Sequence, residues 1–235
     1  MHLRYAIRLV YEETRKMIEA VFFDWDGLLA DTESLWTQAD KDWLAYNGVI
    51  YNGELKSKTV GRNQKDAVEL LINHYRVGIT AEEGVKQRLN NLKKIYKLTG
   101  QVLMPGAFGL IKSVHESGIK SAIVSGTAQD ILDLIIDKQG IRQYFDAINS
   151  TDVVAHGKPA PDCYLHVAAK LRVNPGKCVV IEDAQSGVVA GKRAGMAVIA
   201  VPNIYTKSQD LSAADVILPS LTDVNIPLLE KLMER

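Results

Sequence analysis

The chain has 235 residues, 47% of them hydrophobic, with 28 Lys and Arg against 28 Asp and Glu. That length buries a core in one large domain or in a domain with a smaller companion. The balanced charge gives no electrostatic ground for binding nucleic acid or a membrane surface.

Only two cysteines occur, Cys163 and Cys178, without metal-ligand spacing. They argue against a disulfide framework and for a reduced cytoplasm. No apolar run approaches the roughly 20 residues of a membrane helix. Residues 3–18 place Ile7, Val10, Tyr11, Thr14 and Ile18 at helical spacing, but without an uninterrupted apolar segment. This is not a secretory signal, and Glu12 and Glu13 argue against an organellar transit peptide. Residues 1–16 read as an N-terminal extension, either an added amphipathic helix or chain upstream of a start at Met17.

The first strand-like run is Ala20 to Phe23, followed by Asp24, Asp26 and Gly27. In an open α/β sheet the ligand crevice lies outside the carboxyl ends of the strands. Two carboxylates there repel each other unless a cation stands near, and Gly27 permits close backbone approach. From about 32 to 99 the pattern is helical. Trp36, Trp43, Leu44 and Tyr46 precede a break at Asn47-Gly48; Val68, Leu71, Ile72 and Tyr75 and then Leu89, Leu92, Ile95 and Tyr96 recur at helical spacing. Residues 32–104 are expected to form a small all-helical insert, leaving through Gly100 and Pro105-Gly106.

Beyond Pro105 helix and strand alternate. Helices are expected at 108–116, 130–138, 162–171 and 185–194, and strands at 121–124, 147–148, 178–181, 197–201 and 216–218. The expected fold is α/β, a Rossmann-like doubly wound parallel sheet with helices on both faces, built from 17–31 and 105–235.

Polar residues fall at four strand ends. Asp24 and Asp26 close the first. Ser125-Gly126-Thr127 follows the second, offering a hydroxyl and backbone N–H groups suited to an anion. Lys158 lies between Gly157 and Pro159 in a loop pinned by Pro159 and Pro161. Glu182 and Asp183 close a buried strand. Each motif alone is explained by a turn, a helix cap or a solvated lysine. Together they converge on one crevice, where hard oxygen ligands select Mg²⁺ with substrate phosphate.

The set resembles the four motifs of the haloacid dehalogenase superfamily over about residues 18 to 220: Asp24-Trp25-Asp26-Gly27, Ser125, Lys158 and Glu182-Asp183. Ala184-Gln185-Ser186-Gly187 and the helix it opens are similar to the branch with a helical cap after the first motif, which includes β-phosphoglucomutase and sugar-phosphate phosphatases. The stretch from Asp26 to Trp36 is especially similar to hexose- and hexitol-phosphate phosphatases.

The resemblance implies that Asp24 is a nucleophile forming an aspartyl-phosphate and that Asp26 is the general acid and then base. Ser125, Gly126 and Lys158 would bind the phosphoryl group. Mg²⁺ would be held by Asp24, the Asp26 backbone carbonyl and Asp183, with Glu182 direct or through water. The expected substrate is a small phosphomonoester, a sugar or polyol phosphate, and the expected form a monomer.

The mutases of this branch carry a cap histidine at a position occupied here by Trp36, which favours hydrolysis. Arg62, after Gly61, resembles a cap arginine that contacts the far end of the substrate; an exposed helix-start arginine is the other reading. Trp36 and Trp43 are expected in the cap core. A haloalkanoate dehalogenase would leave Glu182-Asp183 without a purpose, and a non-enzymatic binding protein would not need both Asp24 and Lys158. Residues 187–192 miss the phosphate-binding P-loop by spacing and by Arg193, so Gly187 and Gly191 read as packing glycines. His156 reads as a loop histidine, with no acid placed to complete a triad.

Overall fold

The computed structural model describes residues 18–60, 62, 64–100 and 102–234; the expectations for residues 1–17 and for Gly61 lie outside them. Strand β1 is Ala20–Phe23, β2 Lys120–Ser125, β3 Ala147–Ser150, β4 Cys178–Glu182, β5 Ala197–Ala200 and β6 Val216–Ile217. They form one parallel sheet in the order β3-β2-β1-β4-β5-β6.

Side chains alternate between the two faces of a strand, and here both faces are covered. Val21, Phe23, Ile123, Val179, Ile181 and Ile199 join one apolar cluster, with residues of α5 (Ala107–Glu116), α6 (Gln129–Gln139) and α9 (Ile226–Leu232). Ala20, Phe22, Ala122, Val124, Val180 and Val198 join the other, with residues of α7 (Asp162–Leu171) and α8 (Gln185–Arg193). Burial on two faces explains why these strands read as continuous apolar runs. Each fully buried Phe, Leu, Ile or Val side chain contributes about 1.5–3 kcal/mol.

The helical insert consists of α1 (Glu33–Tyr46), α2 (Lys56–Thr59), α3 (Gln64–Tyr75) and α4 (Ala81–Leu98). Its outer half has its own cluster around Trp43, Leu44, Tyr51, Leu55, Val68, Leu71 and Val77. Its inner half does not stand apart, because Trp36, Ala39, Leu92 and Tyr96 belong to the main cluster. Thus Trp43 is core of the insert, whereas Trp36 packs where insert meets sheet. Helix α4 starts at a side-chain N-cap: the Thr80 side chain accepts from the Glu83 backbone N–H, worth about 1 kcal/mol. The entering and leaving connections run side by side, with Asp31 N donating to Val102 O and Met104 N to Leu29 O.

Register carries the acids to one place. Phe23 pairs with both Ile123 and Ile181, so Asp24 emerges beside Glu182 and one residue short of the level of Ser125. The strand order reverses its direction of winding between β1 and β4, the position where such sheets bind ligands.

Candidate active site

A cavity of about 80 Å³ lies over these strand ends and under the insert. The sheet lines it with Asp24, Asp26, Gly126, Lys158, Glu182 and Asp183; the insert and its first connection contribute Glu33, Trp36, Lys56, Arg62, Gln64 and Arg88.

At the floor, the Lys158 ammonium donates to Asp24 Oδ1 at 2.6 Å, to Glu182 Oε1 at 2.6 Å and to the Val124 carbonyl at 2.9 Å. All three of its donors are used, which fixes Lys158 by the Val124 carbonyl, one residue before Ser125. Burial works against its charge, but Asp24 and Glu182 outweigh it and raise its pKa above the ordinary value.

Asp24, Glu182 and Asp183 are buried, and each offers a carboxylate oxygen within 4.8 Å of the others. Burial, then the charge of Glu182, pushes the Asp24 carboxyl well up, with Lys158 pulling the other way. Burial and the charges of Asp24 and Glu182 push Asp183 up in the same direction. Three buried carboxylates facing one ammonium favour uptake of positive charge, a proton or a hard cation. Oxygen donors of this kind fit Mg²⁺.

The two members of the trio from β4 differ. Both oxygens of Glu182 already accept bonds: Oε1 from Lys158 and, at 3.0 Å, from Tyr164 Oη; Oε2 from the backbone N–H groups of Asp183 at 3.0 Å and Ala184 at 3.2 Å. Gly187 makes room for this arrangement, since a Cβ there would lie 1.7 Å from Glu182 Oε1. The packing role read for Gly187 therefore has a specific object. Asp183 Oδ2 accepts from Asn203 Nδ2 at 2.8 Å.

Asp26 stands outside the acidic trio. Its Oδ1 accepts from Thr32 Oγ1 at 2.7 Å and Trp36 Nε1 at 3.0 Å, and its Oδ2 from Ser125 Oγ at 2.9 Å and Thr127 Oγ1 at 2.7 Å. The sequence reading put Ser125 on the phosphoryl group. The buried Ser125 hydroxyl donates to Asp26 and accepts from Thr127 N at 2.9 Å, and Gly126 lines the cavity. The Asp26 carboxylate is thus engaged by hydroxyl and indole donors on both oxygens.

Above the floor, Lys56 Nζ meets Glu33 Oε2 at 2.5 Å and the Glu33 carbonyl at 3.0 Å. Burial raises the Glu33 pKa and Lys56 opposes the shift. Arg88 Nε meets the fully buried Asp40 at 2.5 Å, Nη1 donates to Gln64 Oε1 at 2.6 Å, and the guanidinium stacks 4.4 Å from the Trp36 ring. Arg62 lines the cavity from an exposed position, with Nε donating to the Lys58 carbonyl at 2.6 Å. His156 does have an acid beside it, Asp162 at 3.2 Å, but the pair is solvent-facing and does not line the cavity.

The sequence comparison decides the family, because the haloacid dehalogenase-like hydrolases match residues 18–195. The chain belongs to the haloacid dehalogenase-like hydrolase family. Within it, the chain is 34% identical to (DL)-glycerol-3-phosphatase 1, mitochondrial, of Arabidopsis thaliana, over 91% of this chain and 74% of that one. It is 32% identical to hexitol phosphatase B of Escherichia coli K12, over 90% of this chain and 96% of the relative. The crystal structure of CbbY from Rhodobacter sphaeroides in complex with phosphate superposes with a TM-score of 0.84 at 28% identity, covering 91% of this chain and all of that one (100%). Family and phosphatase relatives together make this haloacid dehalogenase-like protein an enzyme, a phosphoric monoester hydrolase. No helix among its described residues is long and apolar enough to cross a membrane.

Proposed function

We propose that the protein is a Mg²⁺-dependent phosphatase of small sugar or polyol phosphates, acting through an aspartyl-phosphate. The observation that carries this reading is the buried Asp24–Lys158 contact of 2.6 Å inside a trio of acids at the sheet's ligand crevice. The Lys158 ammonium opposes the burial that pushes the Asp24 carboxyl up and so favours its nucleophilic form, and the same ammonium neutralises an arriving phosphoryl oxygen.

In the first step an Asp24 carboxylate oxygen forms a bond to phosphorus and the ester P–O bond breaks. The leaving alkoxide takes a proton from Asp26. In the second step water attacks phosphorus, Asp26 takes a proton from it, and Asp24 departs as carboxylate with inorganic phosphate released. Lys158 and the Gly126 backbone bind the phosphoryl group. Ser125 joins them only by exchanging Asp26 for the substrate. Asp24, Asp183 and the Asp26 carbonyl would hold Mg²⁺, which supplies charge neutralisation between nucleophile and phosphate. Glu182 holds Lys158 in place, and any contact it makes with the metal runs through water.

The helices of residues 32–104 act as a cap domain. The 80 Å³ space is well below the ~300 Å³ at which ligand pockets begin, so the cap must open to admit a sugar phosphate. Trp36 supports hydrolysis over phosphoryl transfer between sugar positions, because an indole N–H donates and cannot take up a proton. The substrate class follows the glycerol- and hexitol-phosphate names of the relatives. We place the enzyme in the cytoplasm on its cysteine usage.

The test is inorganic phosphate release from a panel of sugar and polyol phosphates with Mg²⁺. Release is expected for several of them and should vanish with EDTA. Activity that survives EDTA or Asp24→Asn would sink the mechanism. Interconversion of hexose 1- and 6-phosphates without phosphate release would make the enzyme a mutase.

A further inference from the structure

Asn203 carries no motif and lies 20 residues past Asp183, in the loop after β5. We infer that Asn203 is a positioning residue for the metal site: its side-chain amide fixes the Asp183 carboxylate in the orientation that receives Mg²⁺. The inference rests on the reading of Asp183 as a metal ligand.

The amide is saturated on both sides. Nδ2 donates to Asp183 Oδ2 at 2.8 Å and to the Gly27 carbonyl at 3.0 Å. Oδ1 accepts from Tyr205 N at 2.7 Å and Thr206 N at 3.2 Å. The orientation is therefore fixed by chemistry: a flipped amide would face two acceptors with its oxygen and two N–H donors with its nitrogen. The loop is held independently as well, by Asn203 N donating to Thr206 Oγ1 at 3.0 Å and Lys207 N to the Asn203 carbonyl at 3.0 Å.

A neutral donor suits this place. A cation on Asp183 would compete with the metal, and an unheld carboxylate would turn away from its neighbouring acids. A single N–H on Oδ2 orients the group and leaves the other oxygen for the ion. Groups that orient a ligand in this way typically change metal affinity 10–100-fold when removed. The first motif is cut to fit the same contact. Gly27 has φ +84, and a Cβ there would lie 2.6 Å from Asn203 Nδ2 and 2.7 Å from Asp183 Oδ2. One amide thus bridges the chain after β1 and the acid after β4, the two sides of the proposed Mg²⁺ site.

Two substitutions separate the bridge from the loop. Asn203→Ala removes the amide. Asn203→Ser keeps a short acceptor for the turn N–H groups but cannot span to Asp183, so it tests the contact even where the alanine variant folds poorly. Thr206→Val weakens the loop and leaves the amide. The experiment is calorimetric titration of each folded protein with MgCl₂, without substrate, beside thermal melts.

The expected result is a Kd for Mg²⁺ raised roughly 10–100-fold in both Asn203 variants, with Thr206→Val lowering Tm but holding Kd within about twofold of wild type. Equal Mg²⁺ affinity in wild type and Asn203→Ser, or an equal loss in Thr206→Val, overturns the inference and leaves the metal reading standing. Absence of Mg²⁺ binding in wild type overturns both.

Discussion

The floor and the roof of the cavity handle charge in opposite ways. On the roof each buried cation has its own acid, Lys56 with Glu33 and Arg88 with Asp40. On the floor Lys158 is shared by Asp24 and Glu182, while Asp183 leans on a neutral amide. Apart from the exposed Arg62, the roof is electrostatically complete in the absence of substrate. The floor is not: three buried acids face one ammonium, and under the proposed function a cation and a phosphoryl group complete it. A fold holds such an unbalanced cluster because the sheet beneath is rigid and buried on both faces, and the unbalance is what makes it reactive.

The largest test of that contrast is Asp24→Asn. We expect kcat to fall by about 10⁴-fold or more, as for loss of a nucleophile. Tm should stay level or rise, since one buried charge leaves a crowded group. Phosphate release and a thermal melt measure the two halves. A drop of many degrees would show that the floor is not strained at all.

The roof should answer in the reverse sense. Arg88→Ala strands Asp40, which is 0% exposed, and is expected to cost about 3–5 kcal/mol in chemical denaturation. An Arg88→Met, Asp40→Leu double variant should recover most of that loss; failure to recover it would mean that the pair does more than satisfy itself. Arg62→Ala touches a cation with no acid of its own among the described contacts. KM should rise about tenfold, ~1.4 kcal/mol, with kcat within about twofold. A kcat effect larger than the KM effect would move Arg62 from substrate binding to chemistry.

The smallest expected effect lies at the far end of the same sheet. The Glu19 carboxyl is held below its ordinary value by the Asn174 backbone N–H and then by Lys177. Its contribution is present above the unfolded value of 4.5 and is lost as pH falls through the lower folded value. At this partly exposed site it amounts to about a few tenths of a kcal/mol. Glu19→Gln should lower the neutral limb of a stability–pH curve by that amount and leave stability at pH values below the folded carboxyl value unchanged.

Legibility in the sequence followed the same division. Strands β1 and β4 were readable because double-sided burial makes them unbroken apolar runs. The acids at their ends were readable because strand ends are where an α/β sheet keeps its chemistry. Lys158 needed the family resemblance, since a lysine before proline is otherwise ordinary. The roof was harder. Helical spacing located α1, α3 and α4, but α2 has four residues, too few for a period. Lys56 there finds its partner 23 residues earlier in the chain. Trp36 was seen as a missing histidine and a core residue, and its indole bond to Asp26 depends on how α1 leaves the sheet. Asn203 was invisible for the same reason: its partners Gly27 and Asp183 are set by tertiary packing, which leaves no local pattern.

The four bonds to Asp26 come from two directions. Thr32 and Trp36 reach Oδ1 from the connection and first helix of the cap; Ser125 and Thr127 reach Oδ2 from the end of β2. The carboxylate is thereby an interlock. Swinging α1 outward would strip Oδ1 of its indole donor and leave Thr32 alone on that side. Under the proposed mechanism, an open site would hold the base that activates water less firmly, and hydrolysis of the aspartyl-phosphate is expected to proceed with the cap closed.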